Sequence, residues 1–276
     1  MALLDQDFTF LSTLVRDQAG IVLDAGKGYL IESRLMPVAK AAGMNGLNEL
    51  ANALRKTPKG DLADLVVDAM TTNETTFFRD FFPFEALRLQ VLPEIIKQKS
   101  DKKELNIWCA ASSSGQEPFS IAMLLLEHFP QIALDWKLQF FATDLSREML
   151  ERCRKGAYSQ VEVNRGLPAL LLAKYFARAD GQWFIQDKVK RMVQFRPMNL
   201  LDPFPVMPPM DIIFIRNVLI YFDVATKKQI FAKLRKVLRP EGFLFLGGAE
   251  TTLNIDPNFT RLPFDKAGCY RFAGPG

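Results

Sequence analysis

The sequence predicts an α/β fold: a doubly wound, mostly parallel sheet, preceded by a small helical domain and carrying a small antiparallel β insert. Three observations predict it. The apolar runs "NIWCA", "LQFFATD", "DIIFIRN" and "GFLFLGG" recur between helical segments, and strands apolar on both faces need helices on both sides of a mostly parallel sheet. Up to about Met70, apolar residues instead recur at spacings of three and four, the period of helices packed on one another. Within the second half, Asp180-Gly181 is a hairpin signal inside a segment that breaks the strand–helix alternation.

Taken in order, "FTFLSTLVRDQAGIVL", "YLIESRLMPVAKAA" and "LADLVVDAM" read as helices, with breaks at Gly43 to Gly46 and at "TPKGD". After "TTNETTFFRD" comes a helical run from Phe81 to Lys99. The strand "NIWCA" then leads to a helix over 117–129, the strand "LQFFATD" to a helix over 146–154, and "DIIFIRN" to a helix over 224–238, followed by "GFLFLGG" and "GCYRFA". The insert is expected to be a hairpin whose Asp180-Gly181 turn is flanked by "QWFIQ" and "RMVQF". Four prolines between Pro203 and Pro209 stiffen the loop that returns to the sheet.

Composition narrows the function. At 276 residues, 49% hydrophobic and 24% charged, the chain can bury a sizeable core. Acids stand in "MALLDQDFTF" where a signal peptide has bases, and no apolar run approaches a membrane span, so a cytosolic protein without membrane insertion is expected. Three scattered cysteines (Cys109, Cys153, Cys269) and one histidine, His128, are too few ligands for a zinc site, so no metal is expected. The cysteines read as core thiols and His128 as a polar residue facing its helix C-terminus. Without a nucleophile–histidine pair, triad hydrolysis loses its basis. The net charge of +4 does not by itself announce nucleic acid; six of the bases lie between residues 25 and 60, opposed there by Glu32 and Glu49.

In an open α/β sheet the ligand lies beyond the carboxyl ends of the strands. Polar residues stand at three such ends: Glu117 after "IWCAASSSG", Asp144 after "LQFFAT", and Arg216 with Asn217 after "DIIFI". The small residues of "CAASSSG" would let a ligand approach the backbone, although taken alone they read equally as a packed βα turn. Gly115 is the only glycine in the turn, so the dinucleotide fingerprint is absent, and Asp144 lies farther along than the ~20 residues usual for it. Asp144 remains a fitting acceptor for ribose hydroxyls. The pattern suits a nucleoside ligand without pyrophosphate, of which S-adenosylmethionine is one.

In this order, "TTNETTFFRD", "CAASSSGQEPFSIAM", "ATDLS" and "FIRNVLIYFD" resemble the CheR family of chemotaxis receptor methyltransferases. The resemblance runs along nearly the whole chain. It implies an S-adenosylmethionine-dependent methyltransferase fold, with an N-terminal helical domain over 1–72 and a cofactor domain over 73–276 whose β insert spans about 157–197. It also implies methyl transfer from S-adenosyl-L-methionine to glutamate side chains of chemoreceptor cytoplasmic domains, leaving S-adenosyl-L-homocysteine. Carried over by position, Asn73, Thr75 and Arg79 would close over the cofactor, Glu117 would meet its methionine part, Asp144 the ribose, and Asn199 and Leu200 the adenine side. Arg216 and Asn217 would complete the pocket, with Arg79 and Tyr221 nearest the transferred methyl group.

Two departures from the family pattern matter. The basic stripe that family members present to receptors reads Arg34, Pro37, Lys40 here, with one charge missing and a proline that could bend the helix. The insert has no glycine between Gly181 and Gly242, so no grip on a receptor tail peptide is expected. Alternatives are a methyltransferase of receptor-like proteins in another signalling pathway and a non-catalytic S-adenosylmethionine-binding module. Adenine methylation would want an Asn/Asp-Pro-Pro-aromatic run where this chain has "RNVLIYFD".

Overall fold

The computed structural model describes residues 3–274. Four helices open the chain: α1 (Asp5–Ala19), α2 (Gly28–Ala41), α3 (Leu47–Lys56) and α4 (Asp61–Met70). They enclose their own core, in which Leu11, Val15, Ile31, Leu35, Leu50, Leu54 and Val66 are fully buried. The α3 helix is absent from the sequence reading, yet Leu47, Leu50, Ala51 and Leu54 all point inward at helical spacing. Pro37 lies inside α2, which runs through it. The α1 helix stops at Gly20, whose φ of 74° is left-handed. A Cβ there would meet the Phe222 ring at 2.7 Å, so glycine lets the helical domain abut the second half of the chain.

A linker leads from α4 to α5 (Phe82–Ala86), a single π turn over Leu87–Val91 and α6 (Leu92–Gln98). The main sheet is then laid down as β1 (Glu104–Ala110), β2 (Lys137–Asp144), β6 (Gln194–Pro197), β7 (Met210–Ile215), β8 (Leu238–Leu246), β9 (Phe259–Arg261) and β10 (Gly268–Phe272). Its order is β6-β2-β1-β7-β8-β10-β9. The first five run parallel, and β10 and β9 close the edge antiparallel. Helices α7 (Gln116–His128), α8 (Pro130–Asp135), α9 (Arg147–Lys155) and α13 (Val224–Val237) connect the strands. Every residue of β7 is buried, as continuous apolar runs require when both faces are covered. Two layers of core result, one around Ile107, Phe140, Phe214 and Phe245, the other around Trp108, Ile213, Phe231 and Leu244.

The insert departs from expectation in one respect. Its sheet consists of β3 (Ala157–Tyr158), β4 (Phe176–Ala179) and β5 (Gln182–Ile185) in the order β3-β5-β4, with α10 (Gln160–Asn164) and α11 (Ala169–Tyr175) before the hairpin and α12 (Asp187–Lys190) after it. Asp180-Gly181 does turn the hairpin, but its arms are Phe176–Ala179 and Gln182–Ile185. "RMVQF" is not one of them. A two-residue turn joins only the segments directly beside it, and the end of "RMVQF" instead forms β6, parallel to β2 in the main sheet. The antiparallel insert therefore ends before residue 194.

The insert also braces the linker. Phe77 meets the rings of Tyr158 and Phe176 edge-on at 5.1 and 5.7 Å. Gly166, at φ 83°, comes so close that a Cβ would stand 2.0 Å from the Phe77 carbonyl oxygen. No side chain fits there.

Candidate active site

The β1–α7 turn forms the floor of the site. Ala111 and Ser113 adopt left-handed φ values of 56° and 49°, and Gly115 one of 94°. Such backbone costs energy in residues other than glycine and persists where surroundings hold it. Here they do: the Ser112 amide donates to Thr143 O (2.9 Å), Cys153 Sγ to Ser113 O (3.1 Å) and the Tyr158 hydroxyl to Ser114 O (2.7 Å).

Asp144 ends β2 with its carboxylate almost out of solvent. Oδ2 accepts the Ser113 amide at 2.7 Å and Oδ1 the Ser146 amide at 2.9 Å. Burial outweighs these bonds and pushes its pKa up to about 6. Each oxygen has a further lone pair for a ligand hydroxyl.

Glu117 lies in the first turn of α7, where the helix dipole favours an anion. Burial raises its pKa, opposed chiefly by Arg216. Arg216, just beyond β7, has a side chain only 1% exposed. Its Nη1 donates to Glu117 Oε2 at 2.7 Å, and its Nη2 to Asp80 Oδ2 at 2.7 Å and Arg79 O at 2.9 Å. One guanidinium thus joins the floor to the roof.

The roof is the linker. Asn73 O accepts the Ser113 hydroxyl at 2.7 Å, and Asn73 Nδ2 donates to Thr71 Oγ1 at 3.0 Å. Phe78, Asp80 and Phe81 are all left-handed, with φ values of 48°, 69° and 51°, so Arg79 sits in a tightly wound segment. Among the described residues its own guanidinium has a single partner, Glu74 O, at 2.8 Å from Nη1. Asn217 (φ 59°) and Tyr221 occupy the loop after β7. That loop is held by Glu250, whose carboxylate accepts the amides of Asn217, Leu219, Ile220 and Gly247 at 2.7–3.3 Å.

All ten residues singled out in the sequence, Asn73, Thr75, Arg79, Glu117, Asp144, Asn199, Leu200, Arg216, Asn217 and Tyr221, line one cavity of about 920 Å³, measured to its open mouth. Its apolar walls with a few convergent polar groups are those of a ligand pocket. Asn199 differs from the others in how its side chain is used: Nδ2 donates to Gln18 O at 2.6 Å and Oδ1 accepts the Leu201 amide at 3.0 Å. Its amide group therefore fastens the loop to α1. Lys233 of α13 holds the same loop, donating to the carbonyls of Leu200, Leu201 and Asp202.

Sequence reasoning missed other parts of the wall. Ala19 and Ile21 bring the helical domain into the cavity, and Met198 and Phe222 add apolar surface; none carries a chemical type that marks a site. Ser112 was visible only as one small residue among several. Its Oγ and Arg216 Nε are buried in the wall without a partner among the described residues. Such orphans are uncommon, and a polar ligand in the cavity would satisfy them. Among the described residues no His/Cys/Asp/Glu group could hold a metal ion, and no helix is long and apolar enough to cross a membrane.

Comparison with known proteins agrees in both halves of the chain. Residues 6–71 match the family model described as CheR methyltransferase, all-alpha domain, and residues 73–267 match CheR methyltransferase, SAM binding domain. The chain is 38% identical over 275 residues to chemotaxis protein methyltransferase 1 of Pseudomonas aeruginosa, covering 98% of this chain and 99% of that one. It is 41% identical over 257 residues to a chemotaxis protein methyltransferase of Vibrio parahaemolyticus, covering 92% of each.

Proposed function

This chain belongs to the CheR methyltransferase family, whose members use S-adenosyl-L-methionine in chemotaxis, and on that premise we propose that it esterifies glutamate side chains on the cytoplasmic domains of chemoreceptors. The observation that carries the proposal is the shared cavity, in which a guanidinium with most of its donors free, Arg79, overhangs a floor suited to an adenosyl ligand.

Bound S-adenosyl-L-methionine supplies an electrophilic methyl group on a sulfonium. The chain's residues do the rest by placement. Asp144 accepts the ribose hydroxyls, Glu117 and Arg216 wall the methionine end, and the loop of Asn199 and Leu200 bounds the adenine side. Arg79 holds the acceptor carboxylate by charge-assisted hydrogen bonds, and Tyr221 fixes its approach. No general base is needed, because a glutamate with a reference pKa of about 4.3 is already ionised at neutral pH. Aligning acceptor oxygen, methyl carbon and sulfur is a large part of what a protein contributes to such a displacement.

The test is incubation with methyl-labelled S-adenosyl-L-methionine and receptor cytoplasmic fragments. The expected product is a base-labile ester that releases volatile methanol; label that survives base, or no transfer at all, would sink the reading. A receptor-tail tether is not part of this proposal, because the insert's hairpin closes on Asp180-Gly181 alone, without a glycine-rich loop. Tight binding of a tail peptide in calorimetry would overturn that point.

The pKa of Asp144 makes cofactor affinity pH-dependent. Ribose hydroxyls donate to the ionised carboxylate, which takes up its proton as pH falls through about 6. Affinity for S-adenosyl-L-homocysteine is expected to be flat above pH 7 and to fall by up to about tenfold per unit below pH 6, as calorimetry across pH would read. The sign for the unliganded fold is opposite. Since the ordinary value is 3.8 and the folded value is raised, the native state binds more protons between the two, and this group's burial costs stability as pH rises across that window.

A further inference from the structure

The linker over 71–75 is a wall of the cavity that does not come from a strand end, and much of its anchorage comes from α2. Arg34, half-buried on that helix, donates from Nη1 to Met70 O (2.8 Å) and Thr71 O (2.9 Å), and from Nη2 to Thr72 Oγ1 (3.2 Å). Met70 is the last residue of α4, so its carbonyl has no partner within the helix; the planar guanidinium serves it and the next carbonyl from Nη1 while Nη2 reaches the Thr72 hydroxyl. All three acceptors directly precede Asn73, and Thr71, Thr72 and Asn73 line the cavity. Pro37 and Lys40, the other two positions of the expected receptor-facing stripe, are by contrast exposed. Arg34 spends its donors inward.

We propose that Arg34 is a positioning residue that ties the helical domain to the cofactor-binding linker, and not a charge displayed to the receptor. Cofactor affinity then depends on a residue of α2 outside the cavity. The coupling is reciprocal: whatever shifts α2 against the end of α4 alters the grip on the cofactor, and the cofactor in turn steadies α2. This rests on the cofactor reading but not on the identity of the methyl acceptor.

The test uses the full chain with Arg34→Ala and Arg34→Lys. Calorimetry with S-adenosyl-L-homocysteine is expected to show affinity weakened about tenfold in R34A, the scale of losing hydrogen bonds from a charged donor, and partly restored in R34K, whose ammonium reaches fewer of the acceptors. The KM for a receptor cytoplasmic fragment is expected to stay within about twofold. Unchanged cofactor affinity with a raised receptor KM would assign Arg34 to docking and overturn the proposal; so would a lowered melting temperature with cofactor affinity intact. Should R34A not fold, R34K against the wild type carries the same comparison. If the wild type methylates no receptor fragment, the acceptor reading fails while the calorimetry still decides Arg34.

Discussion

Replacing Arg216 by alanine is expected to destabilise the protein by about 3–5 kcal/mol, the usual cost of removing one partner from a buried ion pair. Its guanidinium is 1% exposed and pairs with Glu117, whose side chain is 12% exposed. Alanine would leave that carboxylate in low dielectric without its hydrogen-bonded cation, and would release Asp80 and the Arg79 carbonyl from the roof. Against a typical total of about 5–15 kcal/mol, this is a large share. A melting temperature lowered by roughly 10 °C follows from the few degrees per kcal/mol of chains this size.

The pH dependence of that deficit identifies its source. Without Arg216 the pKa of Glu117 rises further, since burial is no longer opposed by its main counter-charge. The folded variant then holds a proton that the unfolded chain has lost, so its stability falls as pH rises. Urea melts of variant and wild type at pH 5 and pH 8 are expected to differ more at pH 8. A deficit below about 1 kcal/mol at both pH values would remove Arg216 from its structural role.

Arg79→Ala is expected to act on turnover and leave the fold alone. The wild-type side chain donates to one backbone carbonyl, Glu74 O, at a partly exposed site, so the stability change should stay within about 0.5 kcal/mol. Methyl transfer should fall by about a hundred- to a thousandfold, the scale of losing a preorganised charge at the reacting centre. Single-turnover rates with a saturating receptor fragment measure the loss directly. Near-normal transfer would defeat the assignment of Arg79 to the acceptor carboxylate.

Much of this architecture was legible because it rests on polarity and period. Strands β1, β2, β7 and β8 are apolar on both faces, and the residues at the ends of the first three are the polar ones that reach the cavity. What escaped has no such signature. The α3 helix lay between two glycine-containing breaks, and its apolar period was too short to stand out. β4 reads poorly as a strand because Ala177, Arg178 and Ala179 are exposed, which left the hairpin turn to be matched with the wrong partner. Glu250 acts wholly on backbone amides, so no side-chain pattern announces it. Ala19 and Ile21 enter the cavity through tertiary packing, which local sequence does not encode. Arg34 fitted a surface stripe by spacing, but its bonds run to the linker.

The three free thiols, Cys109, Cys153 and Cys269, are all buried. A thiol-reactive dye therefore has no ready target among them while the fold is closed, and its reaction clocks local opening. Because Cys153 is bonded to the carbonyl of Ser113 beneath the cavity floor while Cys269 sits in β10 near the far edge of the sheet, the first reports on breathing of that floor and the second on the remote edge. Ligand occupancy thus becomes readable as the labelling speed of a native side chain, without any engineered probe.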